Sequence, residues 1–320
     1  TGEIKVTKTT VGNINVSGIT FNLRGTSDSG RDIDIPAVTD ENGVAIFSEI
    51  PIGTYTIYED EKTVPTAYLV ADPQNVTVTY AETKEVPIEN KEKTGSITVH
   101  KTTEGQKNIE GIKFYLRGTS DSGRAIDIPA TTDKDGIAKF DGVPIGTYMV
   151  IEDEETVPYG YLVADEKEVK VEYAQTIDET ILNNEQTGTV KVHKKTADMT
   201  NVEGIRFILS GISDTGREIR IEATTDKDGL AKFEGVPVGT YTITEDGSTV
   251  PYGYLVADSK QVTVAYAQTV DTDMVNEKAP DTPNTGVTDN DSDGSKALCS
   301  VAIILAGAAI VMFSRKRKER

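Results

Sequence analysis

A self-copy with a period of 93 residues constrains this chain more than any other feature. Lys8, Lys101 and Lys194 are 93 apart, as are Glu59, Glu152 and Glu245, and Asn90, Asn183 and Asn276. In each copy the glutamate follows the lysine by 51 residues and the asparagine follows it by 82. Tandem copies of one unit are therefore expected, with limits near 1–93, 94–186 and 187–279. Each unit is long enough to bury a modest core of its own.

Within a copy the pattern is all β. Alternation marks seven short strands in the first unit, around Ile4/Val6, Phe21/Leu23, Ile33/Ile35, Val44/Ile46, Tyr55/Ile57, Val76/Val78 and Val86/Ile88. Asp28-Ser-Gly-Arg31 and Asp40-Glu-Asn-Gly43, with their copies, read as hairpin turns. No window carries a helical period. Seven strands in ~90 residues predict an antiparallel sandwich of immunoglobulin-like type. The linkers between copies, such as Lys91-Glu-Lys-Thr94, are short and charged, which favours an extended string of domains.

Three polar residues per copy sit on inward stripes. Tyr55, Ile57 and Glu59 share one strand face, as do Tyr148, Val150 and Glu152, and Tyr241, Ile243 and Glu245. Each lysine ends a stripe (Ile4-x-Val6-x-Lys8), and so does each asparagine (Val86-x-Ile88-x-Asn90). Strand parity sends Asn184 outward and Asn183 inward. Polar groups on a core face need partners. Desolvation disfavours both the ammonium and the carboxylate, leaving a neutral amine as nucleophile and a protonated acid. Such an acid can hydrogen-bond the carboxamide, polarise its carbonyl and shuttle a proton. The amine would then displace ammonia and leave an amide cross-link from first strand to last. Solvated strand ends and a non-covalent buried network are the plainer alternatives.

These residues resemble those of the SpaA-type and collagen-adhesin B-type domains of Gram-positive surface proteins and pilins. The resemblance rests on Gly-x-[Ile/Val]-x-Val-x-Lys at 2–8, 95–101 and 188–194, and on Tyr-x-[Ile/Val]-x-Glu followed by Pro-x-Gly-Tyr. It implies three prealbumin-like sandwiches and isopeptide bonds Lys8–Asn90, Lys101–Asn183 and Lys194–Asn276, promoted by Glu59, Glu152 and Glu245. Ala67 departs from the pattern, standing where the other copies have Gly160 and Gly253, and is expected to strain its turn.

After Asn276 the texture changes. Residues 280–296 read as a disordered linker, 297–313 as a 17-residue uncharged run at the low end for a spanning helix, and 314–320 as a basic cytoplasmic tail. This order is similar to a cell-wall sorting signal, with Thr282-Pro283-Asn284-Thr285-Gly286 as its pentapeptide and cleavage between Thr285 and Gly286. The first position is Thr where that signal has Leu. The implied partners are a sortase and peptidoglycan, or other pilin subunits, with the membrane as a way-station before sorting. The start, without a basic or apolar leader, is expected to follow a missing N-terminal region, which could carry an adhesive tip for host matrix proteins.

A net charge of −19 argues against nucleic acid and against a basic membrane-surface role. The single cysteine, Cys299, lies in the apolar run, so no disulfide is available to the repeats. His100 and His193 share a repeat position and face out, and the Asp-x-[Asn/Asp]-Gly turns lack the 12-residue ligand set of a calcium loop. No cofactor, metal or intermolecular catalytic site is expected. The combination predicts a cell-surface structural stalk whose only chemistry is a single-turnover self-reaction. A polymerising pilin, which should show a Tyr-Pro-Lys motif absent here, and a host-ligand-binding module are the rival readings.

Overall fold

The computed structural model describes residues 1–107, 109–200 and 202–280. The pentapeptide 282–286 and the apolar run 297–313 lie outside the described residues. Among the described residues no helix is long and apolar enough to cross a membrane.

The first repeat contains β1 (Gly2–Thr10), β2 (Thr20–Thr26), β3 (Asp32–Val38), β4 (Val44–Ile50), β5 (Gly53–Glu59), β6 (Gln74–Val78) and β7 (Thr83–Asn90). They form two facing sheets, ordered β4-β1-β7 and β3-β2-β5-β6. The second repeat repeats this plan with β8 (Thr94–Thr103), β9 (Lys113–Ser120), β10 (Ala125–Thr131), β11 (Ile137–Pro144), β12 (Gly146–Glu152), β13 (Lys167–Val171) and β14 (Thr176–Asn183). The third has β15 (Thr187–Thr196), β16 (Arg206–Ser213), β17 (Glu218–Thr224), β18 (Leu230–Pro237), β19 (Gly239–Glu245), β20 (Lys260–Val264) and β21 (Thr269–Asn276). The chain is thus three tandem β-sandwiches, each with its own apolar cluster. In the first, Ile4 and Val6 of one sheet meet Phe21, Leu23, Tyr55 and Ile57 of the other. Each such side chain contributes about 1.5–3 kcal/mol by leaving water.

The structure departs from the sequence expectation in three places. The sandwich is not wholly antiparallel: β1 and β7 run parallel, with Lys8 beside Ile88 and Thr10 beside Asn90. The turn at Asp40–Gly43 is not a hairpin, because β3 and β4 belong to different sheets. Its aspartate still organises the turn, accepting from the Asn42 and Val44 amides while carrying the chain across the core. Lastly, the inward residues of β4 are Ala45 and Phe47, and Ile46 is 52% exposed. Val44-Ala-Ile-Phe47 is apolar on both faces, so the larger area of the phenylalanine decides which parity is buried. Lys139 and Lys232, at the position of Ile46 in the other copies, carry that signal openly.

The glycine that opens each lysine strand has a steric cause. A Cβ at Gly2 would come within 2.4 Å of the Thr79 carbonyl oxygen, and at Gly95 within 2.4 Å of that of Glu172. The turn before the last strand presses directly against the start of the first. That contact seats the two strands in the register that aligns the polar site.

Candidate functional site

The parallel pairing of first and last strands brings lysine and asparagine together. Since Thr10 stands opposite Asn90, Lys8 and Asn90 lie on one face two residues apart in register, within reach of a long side chain. The same offset holds for Lys101 and Asn183 and for Lys194 and Asn276. Glu59 closes β5 on the facing sheet, beside Phe21. Each site is therefore assembled from both sheets across the core.

All nine residues that the sequence singles out are brought together in threes. The lysine and glutamate side chains are at most 1% exposed. The asparagines are equally buried. Glutamate Oε1 faces the amine, 3.8 Å from Lys8 Nζ and 3.4 Å from both Lys101 and Lys194 Nζ. Glutamate Oε2 faces the loop that follows its strand. It accepts from the Ala71, Ala164 and Ala257 amides at 2.7, 2.8 and 2.7 Å. In the first and third sites the same Oε2 accepts from Asn90 Nδ2 at 2.7 Å and from Asn276 Nδ2 at 2.6 Å. In the second site the carboxamide is turned: Lys101 Nζ donates to Asn183 Oδ1 at very short range. In the first and third sites the carboxyl thus meets the amide nitrogen, where polarisation of the carbonyl was expected; the half-turned amide of the second site presents its oxygen to the amine.

Burial pulls the amines of Lys8, Lys101 and Lys194 below the ordinary lysine value, against the opposing attraction of the paired glutamate. The amines donate to backbone carbonyls, such as Thr9 at 2.7 Å and Met274 at 3.2 Å. Hydrogen bonding is nonetheless incomplete. Among the described residues, the buried side-chain atoms with no partner are Oε1 of all three glutamates, Oδ1 of Asn90 and Asn276, Nδ2 of Asn183, and the Tyr68 hydroxyl. An unmet buried polar atom costs ~1–3 kcal/mol. Six of the seven unmet atoms belong to the lysine–glutamate–asparagine sites.

The surrounding tyrosines fix the frame. Tyr148 and Tyr241 donate to the Pro144 and Pro237 carbonyls at 2.8 Å, tying the start of each glutamate strand to the turn before it. Burial pushes both hydroxyls up to about 12. His100 and His193 lie at the surface beside Asp178 and Asp271, at 3.1 and 2.7 Å.

Sequence reasoning passed over a second buried acidic pair. Glu92 and Glu185 follow the asparagine strands by two residues and are 8% and 3% exposed. Each meets a hydroxyl and an arginine from the next repeat: Ser122 and Arg124 for Glu92, Thr215 and Arg217 for Glu185. Their 93-residue spacing was visible, but a charged linker gives no sign that it will be covered.

Residues 2–92, 95–186 and 188–278 each match the family described as SpaA, prealbumin-like fold domain. Comparison with curated proteins gives no match. Among solved structures, the chain is similar in fold to the Bacillus anthracis TIE protein, with a TM-score of 0.61 at 20% identity over 86% of this chain and 50% of that one. It therefore spans about half the length of that structure. It also aligns with a streptococcal ancillary pilin (TM-score 0.36, 18% identity, 87% of this chain and 99% of that one) and with BcpA, the major pilin subunit of Bacillus cereus (TM-score 0.41, 18% identity, 87% and 99%).

Proposed function

The chain belongs to the SpaA prealbumin-like fold family, and from that membership we propose that it is the structural stalk of a Gram-positive surface protein, locked in each repeat by a lysine–asparagine isopeptide bond. The observation that carries this reading is the placement of a buried amine, carboxyl and carboxamide together in all three cores.

The chemistry follows from the positions of the atoms. The neutral Lys Nζ attacks Cγ of the asparagine, forming a new C–N bond. The bond from Cγ to Nδ2 breaks and ammonia leaves. The glutamate bridges the two nitrogens: Oε1 faces the attacking amine, and in the first and third repeats Oε2 faces the departing one. A carboxyl so placed takes a proton on one oxygen and delivers one from the other, and ends the reaction unchanged. The half-turned amide of the second repeat reaches the same geometry by rotating about its last torsion. The glutamate touches the reacting atoms and is the catalytic residue of a reaction that happens once.

Beyond the described residues, the proposal carries a sortase acting between Thr285 and Gly286 and peptidoglycan as acceptor. Intact-mass measurement of the purified protein tests the chemistry. Three bonds lower the mass by three ammonia equivalents. A mass equal to that of the unmodified sequence would leave only a non-covalent buried network and overturn the proposal.

A further inference from the structure

The two contacts between successive repeats share one design, and the first repeat carries the receiving half of it with no carboxylate against it among the described residues. Where repeats meet, the turn between the second and third strands of the later repeat receives the glutamate of the earlier one. Arg124 Nη2 lies 2.7 Å from Glu92, and Arg217 makes the same bond to Glu185. A hydroxyl of the turn donates to the other carboxylate oxygen, from Ser122 in one contact and Thr215 in the other. Both hydroxyl residues are 4% exposed. A backbone bond runs beside them: the Ile145 amide donates to the Lys93 carbonyl and the Val238 amide to that of Gln186, both at 3.0 Å. A loop of the earlier repeat adds one more bond to each turn, from Asn15 Nδ2 to the Ser122 carbonyl at 2.9 Å and from Lys107 Nζ to that of Gly216 at 2.7 Å.

The corresponding residues of the first repeat are Ser29, Arg31 and Ile52, 93 positions earlier. The turn is already folded in the same way, with Ser27 Oγ accepting from the Arg31 amide at 2.9 Å and lying 3.0 Å from Ser29 Oγ. Yet Ser29 and Arg31 are exposed, and Ile52 is 41% exposed where Ile145 is half-buried and Val238 is 1% exposed. The Arg31 guanidinium makes no ion pair among the described residues.

We propose that this face of the first repeat is a docking half-site for the carboxylate-bearing end of a preceding domain of the same family, whose glutamate stands two residues ahead of Thr1. Charge selects that occupant over a second copy of this chain. At the position of Glu92 and Glu185 the third repeat has Lys278, which pairs with Asp198 of its own repeat at 3.4 Å. Set against Arg31, that lysine would bring two cations together without a carboxylate between them. The first repeat therefore has the residues to accept a neighbour, and the third has a lysine where the other two carry the carboxylate of the seam.

The test is to join a copy of residues 94–186 directly ahead of Thr1 in the full chain, which reproduces the native seam spacing, and to follow amide exchange at residues 27–31 and Ile52. A charge-assisted seam should slow exchange at Ile52 about tenfold. The gain should vanish with Arg31→Ala, and should be absent when the added copy is residues 187–279, which carries Lys278 in place of the glutamate. Equal protection from both copies, or none from the first, would overturn the proposal. A measurement free of any fusion is Glu185→Ala in the chain as it stands. It should speed exchange at Val238 by a similar factor, and unchanged exchange there would remove the carboxylate from the seam and the proposal with it.

Discussion

At the scale of single residues, the decisive property is a proton. An amine held out of water binds its proton less tightly, so an unreacted buried lysine in the folded chain has its value lowered from 10.5. The folded state then binds fewer protons than the unfolded state, and stability rises with pH up to the unfolded lysine value. A variant with Asn90, Asn183 and Asn276 changed to Ala, which keeps its amines free, should therefore melt at increasing temperature as pH climbs through the alkaline range toward 10.5. With the proposed bonds made, the parent protein has no free amine at these sites and should show no such rise in differential scanning calorimetry. Glu245→Ala should leave the third bond unmade, returning one ammonia equivalent to the intact mass. It should also lower stability by ~4–5 kcal/mol, the closure entropy of a loop of this length. The three residue types were legible because spacing and strand parity both pointed inward. The orientation of each carboxamide was not, since two ends of nearly equal size are told apart only by the hydrogen bonds they find.

At the scale of elements, strand number and most inward faces followed from alternation, whereas pairing direction did not. Nothing in Ile4-x-Val6 or Val86-x-Ile88 says that β1 and β7 run parallel; that depends on which sheet each intervening turn crosses to. The departure at Ala67 has a local explanation. Gly160 has φ +91°, and a Cβ there would meet Thr215 Cγ2 at 2.7 Å. Ala67 adopts no positive φ, so the expected turn strain does not arise. At the position of Thr215 the second repeat has Ser122, which lacks the methyl. Gly160→Ala should destabilise the contact between second and third repeats by ~1–3 kcal/mol. Adding Thr215→Ser should recover part of the loss, and urea unfolding of the single and double variants gives the coupling.

At the scale of the whole molecule, the geometry specifies how tension would be carried. In each repeat the chain arrives at the start of one strand and departs from the end of its parallel neighbour, with lysine and asparagine near the departing end. With the amide made, a pull runs up the first strand and across to the last, and the intervening 80-odd residues stay unloaded. In single-molecule stretching, Asn183→Ala should release about 290 Å of extra length from the second repeat, at ~3.6 Å per residue. The parent should release none. Every repeat keeps a separate apolar cluster and a separate triad, so one proposed cross-link could be missing while the other two stand. A bead that failed to close would act as a slack link that lengthens under strain and takes up the shock, while its neighbours hold the line.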